Sequence, residues 1–203
     1  MKPKPKLLVA TNNKGKLIEI QAILQDLDLD LVLPADLGLE LEVEENGQTY
    51  AENATKKALA FFQASGLTSL ADDSGLEVDA LHGAPGLHSA RYSTLPNATD
   101  ADRRATLLLN LSRYPRPWMA RFRATVAIAG PGRSVQLAEG TCPGEIILEE
   151  RGSGGFGYDP IFLLKDLNKT MAELEMEEKN RLSHRGQAVR KAIPILKEIL
   201  KAQ

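Results

Sequence analysis

Residues 70–92, LADDSGLEVDALHGAPGLHSARY, constrain the fold of this chain more than any other stretch. An apolar run stops at two adjacent acids, Asp72 and Asp73, and Ser74-Gly75 follow. Residues 76–81 then alternate apolar and polar, the period of a half-buried strand. Asp-Ser-Gly is turn chemistry. Together they predict two carboxylates on a tight, exposed bend between strands. Gly83-Ala84-Pro85-Gly86 predicts a second turn before Ser89-Ala90-Arg91-Tyr92. A solvated hairpin loop would account for an arbitrary pair of acids. It accounts less well for acids, two glycine turns, two histidines and an arginine crowded into one segment.

Composition narrows the classes. A chain of 203 residues, 43% hydrophobic and 26% charged, suits one globular unit with a sizeable core. The net charge of −2 lacks the basic excess of a sequence-independent nucleic-acid binder. Cys142 is the only cysteine, so neither an internal disulfide nor a zinc cluster is expected. Met1-Lys2-Pro3-Lys4-Pro5-Lys6 has the charge of a signal-peptide start, but polar Thr11-Asn12-Asn13-Lys14 interrupts before an apolar core can develop. No apolar run is long enough to span a bilayer. The expectation is a cytoplasmic protein with no membrane or nucleic-acid partner. The Asn-x-Ser/Thr triplets at Asn53, Asn97, Asn110 and Asn168 then read as coincidences. No repeat or linker divides the chain.

From the start, residues 7–10 read as a buried strand. Thr11-Asn12-Asn13-Lys14-Gly15-Lys16 forms a polar loop, and Leu17, Ile20, Ile23, Leu24 and Leu27 follow at helical spacing. A helix N-terminus presents unpaired N–H groups and partial positive charge, which suits a phosphate, and Lys16 can add a full charge. Simple capping by Asn is the competing reading, and the loop is no Walker A motif. Residues 29–33 and 37–43 read as two further strands, the latter ending at Glu44-Glu45-Asn46-Gly47. Thr49-Tyr50-Ala51-Glu52 is a capping box opening a helix to about Gln63, with Lys56-Lys57 off its apolar face. Residues 67–71 form the strand that delivers the acids.

Thr99 to Asp102 caps another helix. Residues 120–128 and 134–139 predict a hairpin around Gly130-Pro131-Gly132, and residues 144–148 a further strand. Trp118 and Cys142 read as packing. Gly152-Ser153-Gly154-Gly155-Phe156-Gly157 formally matches a dinucleotide fingerprint, but Tyr158-Asp159-Pro160-Ile161-Phe162 leads into a strand rather than a helix. A glycine-flexed loop suits it better, with Phe156 as a stacking face for a flat ligand and Asp159 as an acceptor. Thr170 and Glu173 start a short helix. Ser183 caps the last one, which Pro194 should kink. His82 and His88 read as structural.

The string from Asp72 to Tyr92, together with GGFGYDPIF and Ser183-His184-Arg185-Gly186, closely resembles the inosine triphosphate pyrophosphatase family, in its bacterial dITP/XTP type. The resemblance runs from Thr11 to Arg185. It implies an α/β fold: an elongated, twisted mixed sheet flanked by helices, with two lobes around a central cleft. Residues 1–203 would form a single nucleoside-triphosphate pyrophosphatase domain, working as a homodimer. The implied reaction hydrolyses non-standard purine nucleoside triphosphates (ITP, dITP, XTP) to the monophosphate and pyrophosphate.

By the same resemblance, Glu44 and Asp73 bind Mg2+, with Mn2+ as a substitute. Asp73 is the general base, with Asp72 the weaker candidate. The substrate-binding set is Thr11, Asn12, Asn13, Lys14, Gly15, Lys16, Lys57, Ser74, Phe156, Gly157, Tyr158, Asp159, Lys179, His184 and Arg185. Asn12 stands where many members carry glycine. Donors from Arg185, Lys179 and backbone amides would meet the 6-keto oxygen of the base. Another metal-dependent nucleotide phosphohydrolase and a non-catalytic nucleotide sensor are the alternatives.

Overall fold

Residues 3–201 are described by a computed structural model. Met1 and Lys2 of the lysine-rich start lie outside the described residues, as do residues 202–203. Seven strands form one sheet: β1 (Lys6–Val9), β2 (Asp30–Val32), β3 (Ser69–Val78), β4 (Trp118–Ala129), β5 (Gln136–Ile146), β6 (Phe162–Leu164) and β7 (Lys169–Thr170). Their spatial order is β2-β1-β3-β4-β5-β6-β7. β1 pairs in parallel with β2 (Leu7↔Leu31) and with β3 (Val9↔Leu70). β6 runs antiparallel to β5 (Ile146↔Phe162) and to β7 (Leu163↔Thr170). The sheet is therefore mixed and the class α/β, as expected. The chain divides into two compact units, one of Met1–Asp73, Ala124–Gly140 and Arg185–Gln203, the other of Ser74–Arg123 and Thr141–His184.

In the first unit, α1 (Lys14–Leu24), α2 (Tyr50–Ser65) and α5 (His184–Lys201) cover the strands. Side chains of a strand alternate between faces, and two apolar layers follow from that alternation. On one face Leu7, Val9, Leu70, Val126 and Ile128 pack with Ile20 and Leu24 of α1 and with Val189, Ala192 and Leu196 of α5. On the other, Leu8, Ala10, Ala71, Ala127 and Ala129 pack with Ala54, Ala58 and Phe61 of α2. Leu7, Leu8 and Leu70 are fully buried, each contributing about 1.5–3 kcal/mol relative to exposure.

The second unit packs α3 (Asp100–Leu111) through Leu107 and Leu111 against Leu76, Val78, Trp118, Phe122, Ile146 and Phe162. Trp118 is core, its indole N–H donating to the Tyr114 carbonyl at 3.0 Å. Burial pushes the Cys142 thiol up to about 12, with the Asp159 charge adding to it, which leaves the group inert. The cap at Thr99 is a full capping box with Asp102. α4 (Met176–Leu182) precedes Ser183, whose extended backbone separates it from α5.

Four local expectations fail. Residues 70–78 make no tight bend, because β3 runs unbroken from Ser69 to Val78 and both acids sit inside it. Residues 37–43 form no strand: a 3-10 turn over Pro34–Leu37 ends at left-handed Gly38, and residues 39–47 are irregular. Leu39, Leu41 and Val43 nevertheless pack on the α2 layer, so the alternation was a real burial signal satisfied without sheet pairing. The two strands expected over 134–148 are one, β5, whose alternating burial continues through exposed Pro143. The segment opened by Thr170 is a 3-10 turn, Met171–Glu173, capped as expected but separate from α4. Pro194 lies inside α5.

Candidate active site

Strand alternation separates the two central acids. Leu70 belongs to the layer under α1 and α5, and Ala71 to the layer under α2. Asp72 then follows Leu70's face and Asp73 follows Ala71's. Their partners agree with this. Asp72 meets Lys16 of α1 and Arg185 of α5, whereas Asp73 meets Asn53 and Lys57 of α2.

Asp72 is fixed in a charge network. Its Oδ1 lies 2.7 Å from Lys16 Nζ, and its Oδ2 accepts from Arg185 Nε at 3.2 Å. Arg185 Nη1 also donates to Glu19 Oε2 at 2.5 Å, and Asp72, Arg185 and Glu19 are all buried. Burial opposes ionisation of Asp72, but Arg185, Lys16 and Lys57 outweigh it and hold the carboxyl well below the usual range. Lys16 moves down, chiefly through burial and despite Asp72. Glu19 escapes sequence reading because a glutamate in an amphipathic helix normally points to solvent. Its place among Leu17, Ile20 and Ile23 was the available signal.

Asp73 has the opposite balance. Burial raises its pKa above the usual carboxylate value, and Lys57, Lys16 and the Asn53 hydrogen bond only partly offset that. Asn53 Nδ2 donates to Asp73 Oδ2 at 3.1 Å, while Asn53 Oδ1 accepts the Gly47 N–H at 2.8 Å. One buried amide thus ties the segment after Glu44 and Glu45 to the acid on β3. Gly47 must be glycine for this approach, since a Cβ there would lie 2.6 Å from Asn53 Oδ1. Lys57 is buried rather than solvated: its Nζ donates to the Asp72 carbonyl at 2.7 Å and to Glu45 Oε1 at 2.9 Å, and lies 3.6 Å from Asp73 Oδ1. Asn53 and Lys57 stand one turn apart on α2, so two polar residues at i, i+4 within an apolar face marked the site. Glu44 is exposed, and Glu45 is the acid brought to Lys57.

The polar loop ahead of α1 caps the helix. Asn13 Oδ1 accepts the Lys16 N–H at 3.0 Å, and Thr11 Oγ1 accepts the Asn13 N–H at 3.2 Å. Asn12 and Lys14 are exposed, Gly15 is half-buried, and Lys16 turns inward to Asp72. Capping does not exclude anion binding, because other first-turn N–H groups still face outward.

The second unit gathers the glycine loop. Phe156 N–H donates to Asp159 Oδ2 at 2.9 Å, and Lys179 Nζ reaches the same oxygen at 2.6 Å, with Lys179 and Asp159 both buried. Lys179 Nζ also lies 5.1 Å from the Phe156 ring centroid, within cation–π range. Gly155 has φ +72, and a Cβ there would lie 2.1 Å from Asp159 Oδ2. Tyr158 is buried, its hydroxyl donating to the Ser89 carbonyl at 2.9 Å. Ser89 Oγ accepts the Leu76 N–H at 2.8 Å, so the loop connects to β3 just past half-buried Ser74. His184 stacks on Phe122 at 4.6 Å between centroids. His82 is a left-handed turn residue, and His88 accepts from Arg91, as suits structural histidines.

Among the described residues no cluster of three or more His, Cys, Asp or Glu could cage a metal. Magnesium seldom needs one, because it keeps waters and takes one or two carboxylates beside substrate phosphates. Asp73, whose negative charge its lysines compensate only in part, suits such an ion.

Comparison with known proteins follows the same lines. The Ham1 family model matches residues 7–195. A dITP/XTP pyrophosphatase of Desulforamulus reducens is 48% identical over 195 residues, 96% of each chain. One of Geobacter sulfurreducens is 49% identical, covering 91% of this chain and 92% of its own. The structure of a HAM1 protein from Coxiella burnetii superposes with a TM-score of 0.86 at 38% identity, covering 96% of this chain and 99% of that one.

Proposed function

We propose that this chain, which belongs to the Ham1 family, hydrolyses non-standard purine nucleoside triphosphates (ITP, dITP and XTP) to the monophosphate and pyrophosphate. The observation that carries the mechanism is the opposite fate of two neighbouring carboxylates. Asp72 is held as a permanent anion, and Asp73 has its proton affinity raised. Environments that push adjacent titratable groups apart divide their roles. Asp73 is the general base, taking a proton from the water that attacks between the α and β phosphates. Asp72 orients Lys16. Lys16 and Lys57, with Thr11, Asn12, Asn13, Lys14 and Gly15 at the start of α1, take the triphosphate charge, and Ser74 contacts substrate. A magnesium ion held by Glu44 and Asp73, or manganese in its place, would activate the water and neutralise phosphate charge.

The base is assigned to Phe156, Gly157, Tyr158 and Asp159, together with Lys179, His184 and Arg185. Arg185, Lys179 and the loop amides are donors that would meet a 6-keto oxygen, with Arg185 also bonded to Glu19 and Asp72 and Lys179 to Asp159. Adenine would set donor against donor there. Each unpaired buried group costs about 1–3 kcal/mol, so two such mismatches amount to roughly 100-fold in kcat/KM. Residues 1–203 act as one pyrophosphatase domain, cytoplasmic and homodimeric. No described helix is long and apolar enough to cross a membrane.

A turnover screen across nucleotides with separate detection of pyrophosphate and orthophosphate tests this reading. ITP, dITP and XTP should release pyrophosphate, with ATP roughly 100-fold slower. Orthophosphate as the product, comparable ATP turnover, or binding without turnover would overturn it. Excess chelator should abolish the reaction and magnesium or manganese restore it. Glu44→Gln should raise the metal concentration for half activity. Undiminished hydrolysis in excess EDTA would remove the metal site.

A further inference from the structure

Two residues one turn apart on α3, Asp100 and Arg104, grip Gly157 through its N–H and its carbonyl. Asp100 Oδ2 accepts the Gly157 N–H at 2.7 Å, and Arg104 Nη1 donates to the Gly157 carbonyl at 2.8 Å. Arg104 is itself locked by Glu150, with Nε to Oε1 at 2.7 Å and Nη2 to Oε2 at 2.8 Å. Glu150 stands before the glycine run and Gly157 at its end, so one guanidinium closes the loop over both ends. Asp100 is held in turn by Arg103 at 2.6 Å. Burial opposes its charge, but Arg103 and the Gly157 N–H keep it ionised. A loop containing Gly152, Gly154, Gly155 and Gly157 has many conformations to lose on ordering. With both polar groups of Gly157 held, the ring of the preceding Phe156 is directed by the fold and not by the ligand.

We propose that Asp100 and Arg104 are positioning residues for purine binding, acting through Phe156. This rests on the reading of the loop as the base site. Neither residue touches a reacting atom, so their loss should appear in KM and not in kcat. Lysine at 104 keeps the charge but lacks the planar fork that spans Glu150 and Gly157 together.

The test is steady-state kinetics on ITP for wild type, Arg104→Lys, Phe156→Ala and the double variant. Arg104→Lys should raise KM about 10-fold, the scale of one charge-assisted hydrogen bond, with kcat within about 2-fold and inhibition by inorganic pyrophosphate unchanged. In the Phe156→Ala background the same change should have little further effect, because coupled residues are non-additive. A residue that merely stabilised the fold would act additively and weaken pyrophosphate inhibition as well. An unchanged KM, a fall in kcat alone, or additivity would overturn the proposal while wild-type turnover of ITP stands. Absence of that turnover would overturn the functional reading itself. Asp100→Asn, which keeps an acceptor and removes the charge, reads the same split should Arg104→Lys not fold.

Discussion

Asp73→Asn is expected to lower kcat at least ~100-fold, the scale of a lost general base, while the melting temperature at pH 7 stays level or rises. Asparagine has the shape of aspartate and keeps an oxygen for Asn53 Nδ2, now 3.1 Å from Asp73 Oδ2. The stability half follows from linkage. Burial raises the pKa of Asp73, so the folded protein binds that proton more tightly than the unfolded chain. Such a group contributes stability below its ordinary pKa and loses it as pH rises through the folded value. At neutral pH the ionised carboxylate works against folding, and a neutral amide removes that cost. Steady-state kinetics on ITP and a thermal melt without metal check both halves. Retention of more than about a tenth of wild-type kcat, far above the general-base expectation, would take the role from Asp73. A melting temperature several degrees lower would refute the electrostatic account.

Arg185→Ala is expected to act first on stability. The guanidinium compensates two buried carboxylates, Asp72 and Glu19, and removing it leaves both in the interior. Breaking a buried pair from one side costs about 3–5 kcal/mol, or roughly 6–20 °C in Tm for a chain of this size. Asp72 is the mirror of Asp73. Its depressed pKa supplies stability above the ordinary carboxylate value that is lost as pH falls through the folded one. Without Arg185, Asp72 loses the largest of the charges that hold its pKa down and protonates at higher pH, so the gap between variant and wild type should narrow on acidification. Melts of both proteins between pH 7 and pH 5 would show it. A variant within about 2 °C of wild type at pH 7, against the loss expected for a buried pair, would mean that the network does not hold the fold. A change in the ITP/ATP ratio of this variant carries meaning only beside those melts.

Much of this was legible in the residues. The strand–loop–helix start, the caps at Thr49 and Thr99, the glycine loop and the acids of β3 are local features, set by propensity and period. Glu52 shows the limit of that locality, since its carboxylate reaches back to the Gln48 N–H and not to Thr49. The bend expected at Asp72-Asp73-Ser74-Gly75 failed because turn chemistry assumes that acids seek water. Here Lys16, Arg185, Asn53 and Lys57 supply partners from three helices, and the strand continues.

What the sequence by itself determined was the α/β class and the local elements that carry the acids and the glycine loop. What only the tertiary structure decided was the different surroundings of two adjacent aspartates. They are chemically identical, and nothing local distinguishes them. Strand alternation sends one towards Arg185 and Lys16 and the other towards Asn53 and Lys57. Asp72 is held down by charges that include Arg185, 113 residues away, whereas burial raises Asp73 and the amide of Asn53, 20 residues away, only partly offsets it. A pKa is set by burial and by charges in space, and only the folded chain specifies those.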